Sequence, residues 1–354
     1  MIPTASANNS PTRAFRARSG TRFAWIASFS AGITLLYNGE LPRSAYAGTQ
    51  GETAILVLAG NIPIWLIAIF VVLIGLAFGS FLNVCISRLP RHESIVHPRS
   101  RCPHCAAPIG AGDNIPILSW ILLRGRCRHC NQPIAWRYPA VELATAALFL
   151  LSFLLFGLTV QGIGMAILSF LLLGLAVMDA ETMRLPDAFT LPGIGLGILY
   201  SGIAPAFFNL FPDAFAWPWG IVIGFRFSGH PHLAVRVMIL GALVSAIWAA
   251  LAALLLLLIR WIYFLVRHQQ GLGMGDVKLI AMIAAWLGPA PTILTLLLGC
   301  LAAALFGILS VAASRGKRPL LTTRLPLGSF LCAAALYTIF AGDPIIRWYL
   351  RFFS

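Results

Sequence analysis

Apolar runs long enough to cross a bilayer recur along this chain of 354 residues, and they leave few folds open to it. A helix needs about 20 consecutive apolar residues to span ~30 Å of hydrocarbon. Inside that layer each segment has to satisfy its own backbone hydrogen bonds, which favours helices. Runs near 62–81, 138–158, 161–178, 189–208, 235–259, 277–287, 292–313 and 325–342 read as spans, the 277–287 run being short for one. Hydrophobic residues make up 59% of the chain and charged residues only 10%, against roughly 25% charged in globular proteins. The expected fold is an all-α polytopic membrane protein of about eight transmembrane helices, and an ordinary soluble domain is excluded.

The charges that remain are unevenly placed. The net charge of +14 comes from 25 basic and 11 acidic residues. The polar loop between the first two spans carries Arg88, Arg91, Arg99, Arg101, Arg124, Arg126, Arg128 and Arg137 against Glu93 and Asp113. By the positive-inside rule it faces the cytoplasm, and the later loops with Arg260, Arg267, Arg315, Lys317, Arg318 and Arg324 fall on the same side. The Pro-, Gly- and aromatic-rich 209–232 connection falls outside. Arginines in this setting hold a loop inside and near anionic lipid, so no nucleic-acid partner is expected. Residues 1–60 open with a basic stretch and a short apolar run and carry Ala45-Tyr46-Ala47. They read as a signal peptide or an extra anchor. No internal repeat stands out.

Four of the seven cysteines lie in that basic loop as Cys102-x2-Cys105 and Cys127-x2-Cys130, with 21 residues between the pairs. Each C-x2-C turn presents two thiolates, and two turns complete a closed tetrahedral zinc site of structural type. Metal binding would fold a loop too polar to build its own core. His104 and His129, inside the turns, read as bystanders. Cys85, Cys300 and Cys332 sit in or beside apolar runs and read as packing residues.

Two carboxylates then draw attention. Asp179 closes the apolar run 167–178, and Asp276 follows Gly273-Met274-Gly275 at the start of another, on the same predicted membrane face. Ionisable groups at membrane helices are costly and point to function. A carboxyl pair can divide the acid and base roles of hydrolysis, one group keeping a proton while the other takes one from water. Gly273 and Gly275 would let an extended substrate come close to the backbone, with Lys278 beside them. Taken singly, Asp276 also reads as a helix cap and Asp179 as an interfacial charge near Arg184. Asp187, after Pro186, is the rival for the first carboxylate and the better cap. Glu142 reads as an interfacial group paired with Arg137. A serine triad, a P-loop and a dinucleotide fingerprint are all missing.

Several motifs in order resemble the bifunctional prepilin leader peptidases of type IV pilus and type II secretion systems. They run from Gly79-Ser80-Phe81-Leu82-Asn83-Val84 and Arg88-Leu89-Pro90 through Cys102-Pro103-x-Cys105 and Asn114-Ile115-Pro116-Ile117-Leu118-Ser119-Trp120. Arg124-Gly125-Arg126-Cys127-Arg128-x-Cys130, Arg137-Tyr138-Pro139, Val141-Glu142-Leu143, Leu185-Pro186-Asp187 and Gly273-x-Gly275-Asp276-x-Lys278 follow. The resemblance covers roughly residues 75–345. It implies Asp179 and Asp276 as the catalytic pair at the cytoplasmic face of the inner membrane. It also implies cleavage of a prepilin or pseudopilin leader after its last glycine, then N-methylation of the new terminus with S-adenosylmethionine. The cysteine loop is associated with methyl transfer, and Gly125 with it. The implied division is an N-terminal extension (1–60), a first transmembrane helix (61–84), a cytoplasmic zinc loop with its four cysteines (85–137), a peptidase core (138–345) and a tail (346–354). A peptidase that lacks methyl transfer stays open, as does, at a distance, a transporter with a zinc module. Three departures stand out: Pro326-Leu327-Gly328-Ser329 replaces Pro-Phe-Gly-Pro, the aspartates are 97 positions apart because 209–232 looks inserted, and residues 1–60 have no counterpart.

Overall fold

Ten helices account for the apolar runs in a computed structural model that describes residues 63–97, 99–210, 231–269, 272–313 and 326–350. They are α1 (Ile64–Arg88), α2 (Leu118–Leu122), α3 (Arg137–Phe156), α4 (Val160–Thr182), α5 (Asp187–Leu210), α6 (Pro231–Arg267), α7 (Met274–Leu287), α8 (Pro289–Ala313), α9 (Leu327–Ala341) and α10 (Asp343–Leu350). Among the described residues there is no strand beyond two isolated bridges. The readings placed on residues 1–60 and on most of 209–232 lie outside the described residues.

Six helices, α1, α3, α4, α5, α6 and α8, are long and apolar enough to cross a membrane. The other two expected spans are shorter: α7 has 14 residues and α9 has 15. At 1.5 Å per residue, α7 is only about 21 Å long. From Leu279 onward it is apolar all round because it is the centre of the bundle. Leu279, Ile280, Met282 and Ile283 are fully buried, and α5, α6, α8 and α9 pack around it. By contrast α1 and α6 keep most of their apolar side chains outward, as lipid-facing helices do; Phe70 and Leu254 are among them.

The end of α7 shows how the sequence satisfies a polar group in such a core. The carbonyl of Ala285 would normally accept from the N–H four residues on, but that residue is Pro289, which has none. The hydroxyls of Ser201 on α5 and Ser245 on α6 donate to it instead, at 2.9 and 2.8 Å. Trp286 Nε1 donates to the carbonyl of Gly193 on α5 at 2.8 Å. Three helices are thereby pinned at one level.

α1 and α3 meet along an antiparallel seam. Gly75, Gly79 and Asn83 recur at every fourth position, so they lie on one face of α1. They face Ala146, Glu142 and Tyr138, which also step by four, on α3. A Cβ on Gly75 would come within 2.6 Å of the Ala146 Cα, and one on Gly79 within 2.6 Å of the Glu142 Cα. Only glycine allows backbones this close, the device by which membrane helices pack without a hydrophobic driving force. Asn83 Nδ2 closes the seam on the Tyr138 carbonyl at 2.9 Å.

Gly79→Val should therefore force the two helices apart and cost roughly 1–3 kcal/mol or more. Gly195 on α5 has nothing within 4 Å of its missing Cβ, so Gly195→Ala should be neutral or gain up to about 1 kcal/mol from helix propensity. Thermal unfolding of the two purified variants in detergent checks both.

Candidate active site and metal centre

Asp179 lies within α4, which runs on to Thr182, so the expected inner loop of 179–187 shrinks to four residues, 183–186. Its side chain points inward and is 6% exposed. Oδ2 accepts the backbone N–H of Ser329 at 2.7 Å and the Ser329 hydroxyl at 3.1 Å, while that hydroxyl also reaches the Ala176 carbonyl at 2.8 Å. Gly328 lies flat on the carboxyl: a Cβ there would sit 3.0 Å from both Cγ and Oδ2. The start of α9 is thus built around Asp179. Sequence reasoning noted this segment only as a departure from the family pattern and missed Ser329. The signal was available, because a proline at that position could donate no N–H.

Asp276 occupies the third position of α7, and its carboxylate reaches back to the backbone N–H of Gly273 at the N-cap. The capping alternative is thus partly right, with Asp276 acting from N3 rather than as the N-cap itself. The glycines around it have local reasons: a Cβ on Gly275 would meet the Leu185 Cβ at 2.9 Å, and one on Gly273 would meet Asp276 Oδ2 at 3.2 Å. Asp179 and Asp276 come within electrostatic range of each other, and both act on the buried Cys332. α4, α7 and α9 thus bring two carboxyls from distant parts of the sequence to one end of the core. Asp187 opens α5, well exposed, and accepts from Lys278 Nζ at 2.6 Å. Glu142 does not pair with Arg137. It is buried and accepts the backbone N–H of Ile117 at 2.7 Å, whereas Arg137 pairs with Glu181.

The cysteine loop is made of two matching turns. Ala106 N–H donates to the Cys102 carbonyl at 2.9 Å and Cys102 N–H to the Ala107 carbonyl at 3.0 Å; Asn131, Cys127 and Gln132 repeat the pattern at 3.0 and 2.9 Å. Bridges join Arg101 to Pro108 and Arg126 to Pro133. The repeat is legible as Arg-Cys-x-His-Cys-x-x-Pro at 101–108 and again at 126–133, which corrects the reading that the sequence holds no internal repeat. The four Sγ atoms lie within 4.8 Å of one another, with Cys102 and Cys130 3.8 Å apart. Zn–S bonds of ~2.3 Å in a tetrahedron set sulfurs about 3.8 Å apart, whereas a disulfide needs ~2.05 Å. The four thiols could hold a metal ion, and their spacing is that of a tetrahedral zinc site. Backbone N–H groups of Cys105 and His104 pull the Cys102 thiol down to about 6, and those of Cys130 and His129 lower Cys127. Gly125, one residue before the second turn, has φ +66, and a Cβ there would meet the Trp120 ring at 3.0 Å. The Trp120 Nε1 in turn donates to the Ile134 carbonyl at 3.3 Å. Glycine at 125 lets the tryptophan close over the base of the turn.

Fold and site together define a polytopic helical membrane protein with a carboxyl pair at one end of its core and a four-cysteine loop beside it. The model of the bacterial peptidase A24 N-terminal domain matches residues 73–156, and that of the type IV leader peptidase family matches 213–308. Asp276 falls in the second range, and Asp179 lies between the two. Proteins named prepilin leader peptidase/N-methyltransferase are similar over most of their length. That of Aeromonas hydrophila is 34% identical over 84% of this chain and 99% of its own, and that of Klebsiella pneumoniae 40% over 66% and 91%. That of Stutzerimonas stutzeri is 32% identical over 79% and 92%. No solved structure matches the chain at a significant level. The chain belongs to the prepilin leader peptidase/N-methyltransferase family.

Metal analysis of the purified protein should find about one zinc ion per chain. Replacing Cys102 and Cys105 together by serine should abolish it and make 99–135 protease-sensitive. A thiol whose folded pKa is lowered favours the folded, metal-binding loop above its ordinary pKa, and that advantage goes as pH falls through the folded value. Protons compete with the metal for the four thiolates, so acidification in the presence of a chelator should strip it.

Proposed function

We propose that this protein cleaves the basic leader of a type IV prepilin or pseudopilin after its terminal glycine and then N-methylates the new N-terminus. Asp179 and Asp276 are the acid–base pair, and the observation that carries the reading is that they lie within electrostatic range of each other at one end of a buried core. In that chemistry one aspartate takes a proton from the attacking water while the other gives one to the departing amide nitrogen, and then the roles reverse. Ser329, through its N–H and hydroxyl, holds one Asp179 oxygen in a fixed direction, leaving the other for water or substrate. The Gly273–Gly275 turn keeps the approach to Asp276 low, and the Lys278–Asp187 pair ties the starts of α7 and α5 together beside it.

S-adenosylmethionine is the methyl donor, and zinc in the Cys102, Cys105, Cys127 and Cys130 set is structural, closing the loop between α1 and α3. With four thiolates it has no open position for chemistry. The arginine-rich loop supports a cytoplasmic position for this end of the bundle, and the reading is of an inner-membrane enzyme working at the cytoplasmic face. The loop from 85 to 137 serves methyl transfer, and the helices of 138–345 serve proteolysis.

Purified protein incubated with a prepilin, with and without S-adenosylmethionine, should give a product lighter by the leader in both cases and heavier by one methyl group only when the donor is present. Cleavage without methylation would leave a peptidase alone. Asp179→Asn and Asp276→Asn should each lower leader cleavage by at least ~10²–10⁴-fold, with Asp187→Asn far milder. Normal cleavage by Asp179→Asn would refute the pair. Ser329→Ala keeps the N–H donor and loses the hydroxyl, so it should slow cleavage by roughly tenfold.

A further inference from the structure

A cleft of ≈ 1090 Å³ separates the cysteine loop from the ends of α1 and α3. Ligand pockets run to roughly 300–1,000 Å³, so it has room for a nucleoside-sized molecule and a short stretch of chain. Its floor is the end of the glycine seam, where Ser80, Asn83 and Glu142 lie together. Asn83 is 4% exposed, its Nδ2 is engaged by Tyr138, and its Oδ1 has no partner. A buried acceptor left open costs about 1–3 kcal/mol, so its retention points to a donor that arrives from outside. Glu142, 8% exposed, faces the same space with Ser80 within hydrogen-bond reach. The Nε of Arg137 is a second buried atom without a partner on the wall.

The carboxylate of Glu142 braces the roof. It accepts the N–H of Ile117, which is at φ 59 and ψ −50, the centre of a γ-turn closed by the Leu118 N–H on the Pro116 carbonyl. A β-branched residue in this conformation is strained, and surrounding structure has to hold it. The far wall is formed by Glu181 and Thr182. Both lie on α4, two and three residues beyond Asp179, within about one helical turn.

Resting on the reading that the chain methylates its product, we propose that this cleft is the S-adenosylmethionine site, with Asn83 and Glu142 as its floor. The chemistry of the lining matches the ligand: an open amide oxygen for an amino group, a carboxylate for the sulfonium charge and a guanidinium N–H for the carboxylate. In the transfer, the lone pair of the new N-terminal amine forms a bond to the methyl carbon. The C–S bond breaks with its electrons going to sulfur, which leaves as the neutral thioether S-adenosylhomocysteine, and the nitrogen loses a proton to water.

Two measurements on the full-length protein test this. Equilibrium binding of radiolabelled S-adenosylmethionine should weaken about tenfold or more in Asn83→Leu and in Glu142→Gln. Glutamine keeps an acceptor for the Ile117 N–H while removing the charge, and zinc content reports whether each variant is folded. Ultraviolet cross-linking of the same ligand to the unaltered protein should label peptides from 80–91, 117–123 or 137–142, and S-adenosylhomocysteine should suppress the label. This second measurement decides the matter if a variant fails to fold. Folded variants with unchanged affinity, or label confined to 272–287 or 326–341, would overturn the assignment while leaving methylation itself standing. Unaltered protein that neither binds the donor nor methylates a prepilin would remove the two-activity reading, and this site with it.

Discussion

A polar group below the bilayer surface finds no water, so each one carried by these helices has to be met from within the protein. Much of the architecture follows from that demand. The Ala285 carbonyl, deprived of its helical partner by Pro289, gathers hydroxyls from α5 and α6. Thr295 on α8 donates to Thr338 on α9 at 3.3 Å in the same spirit. Asp179 takes both donors that Ser329 offers, and Asp276 takes the N–H of Gly273. The sites are the places where the demand is met least completely. There, carboxyls share a neighbourhood with each other and with Cys332, and Asn83 keeps an open oxygen.

Close helix approach is the second ingredient. The residues that make it possible are small, and their value lies in what stands opposite. Gly79 matters because α3 puts Glu142 there, and Gly328 because α4 puts Asp179 there. Each glycine brings a residue with a buried carboxyl against a neighbouring backbone, so close packing and the candidate sites fall at the same positions.

Much of this was legible in the sequence. Apolar run length located the long helices, because a hydrocarbon layer imposes a single length scale, although α1 and α6 run on to Arg88 and Arg267, past the expected ends at 81 and 259. The C-x2-C spacing fixed the cluster, because it is a local turn geometry. Placing Asp179 and Asp276 on one membrane face needed only that one closes its run where the chain arrives at that face and the other opens its run where the chain leaves it. What escaped was non-local or local in an unexpected way. The antiparallel matching of 75, 79 and 83 with 146, 142 and 138 depends on how two helices cross. Glu142 was matched to Arg137 by sequence proximity, yet five positions on a helix is more than a turn, and the nearer partner for Arg137 was Glu181 on another helix. α7 looked like a deficient span, and its length instead suits a helix surrounded by others. The eight-residue repeat of the cysteine turns was in plain view and passed over, since its variable positions differ.

The hydrogen bond from Asn83 to the Tyr138 carbonyl joins the two points between which the long polar loop departs and returns. Its stem is therefore already closed by the membrane helices, whatever the loop does beyond it. An excursion whose ends are held together can be lengthened, shortened or dropped at a closure cost that varies only slowly with its length. The loop is thus a replaceable appendage on a fixed clasp. Lineages could gain or shed it without redesigning the helices that carry Asp179 and Asp276.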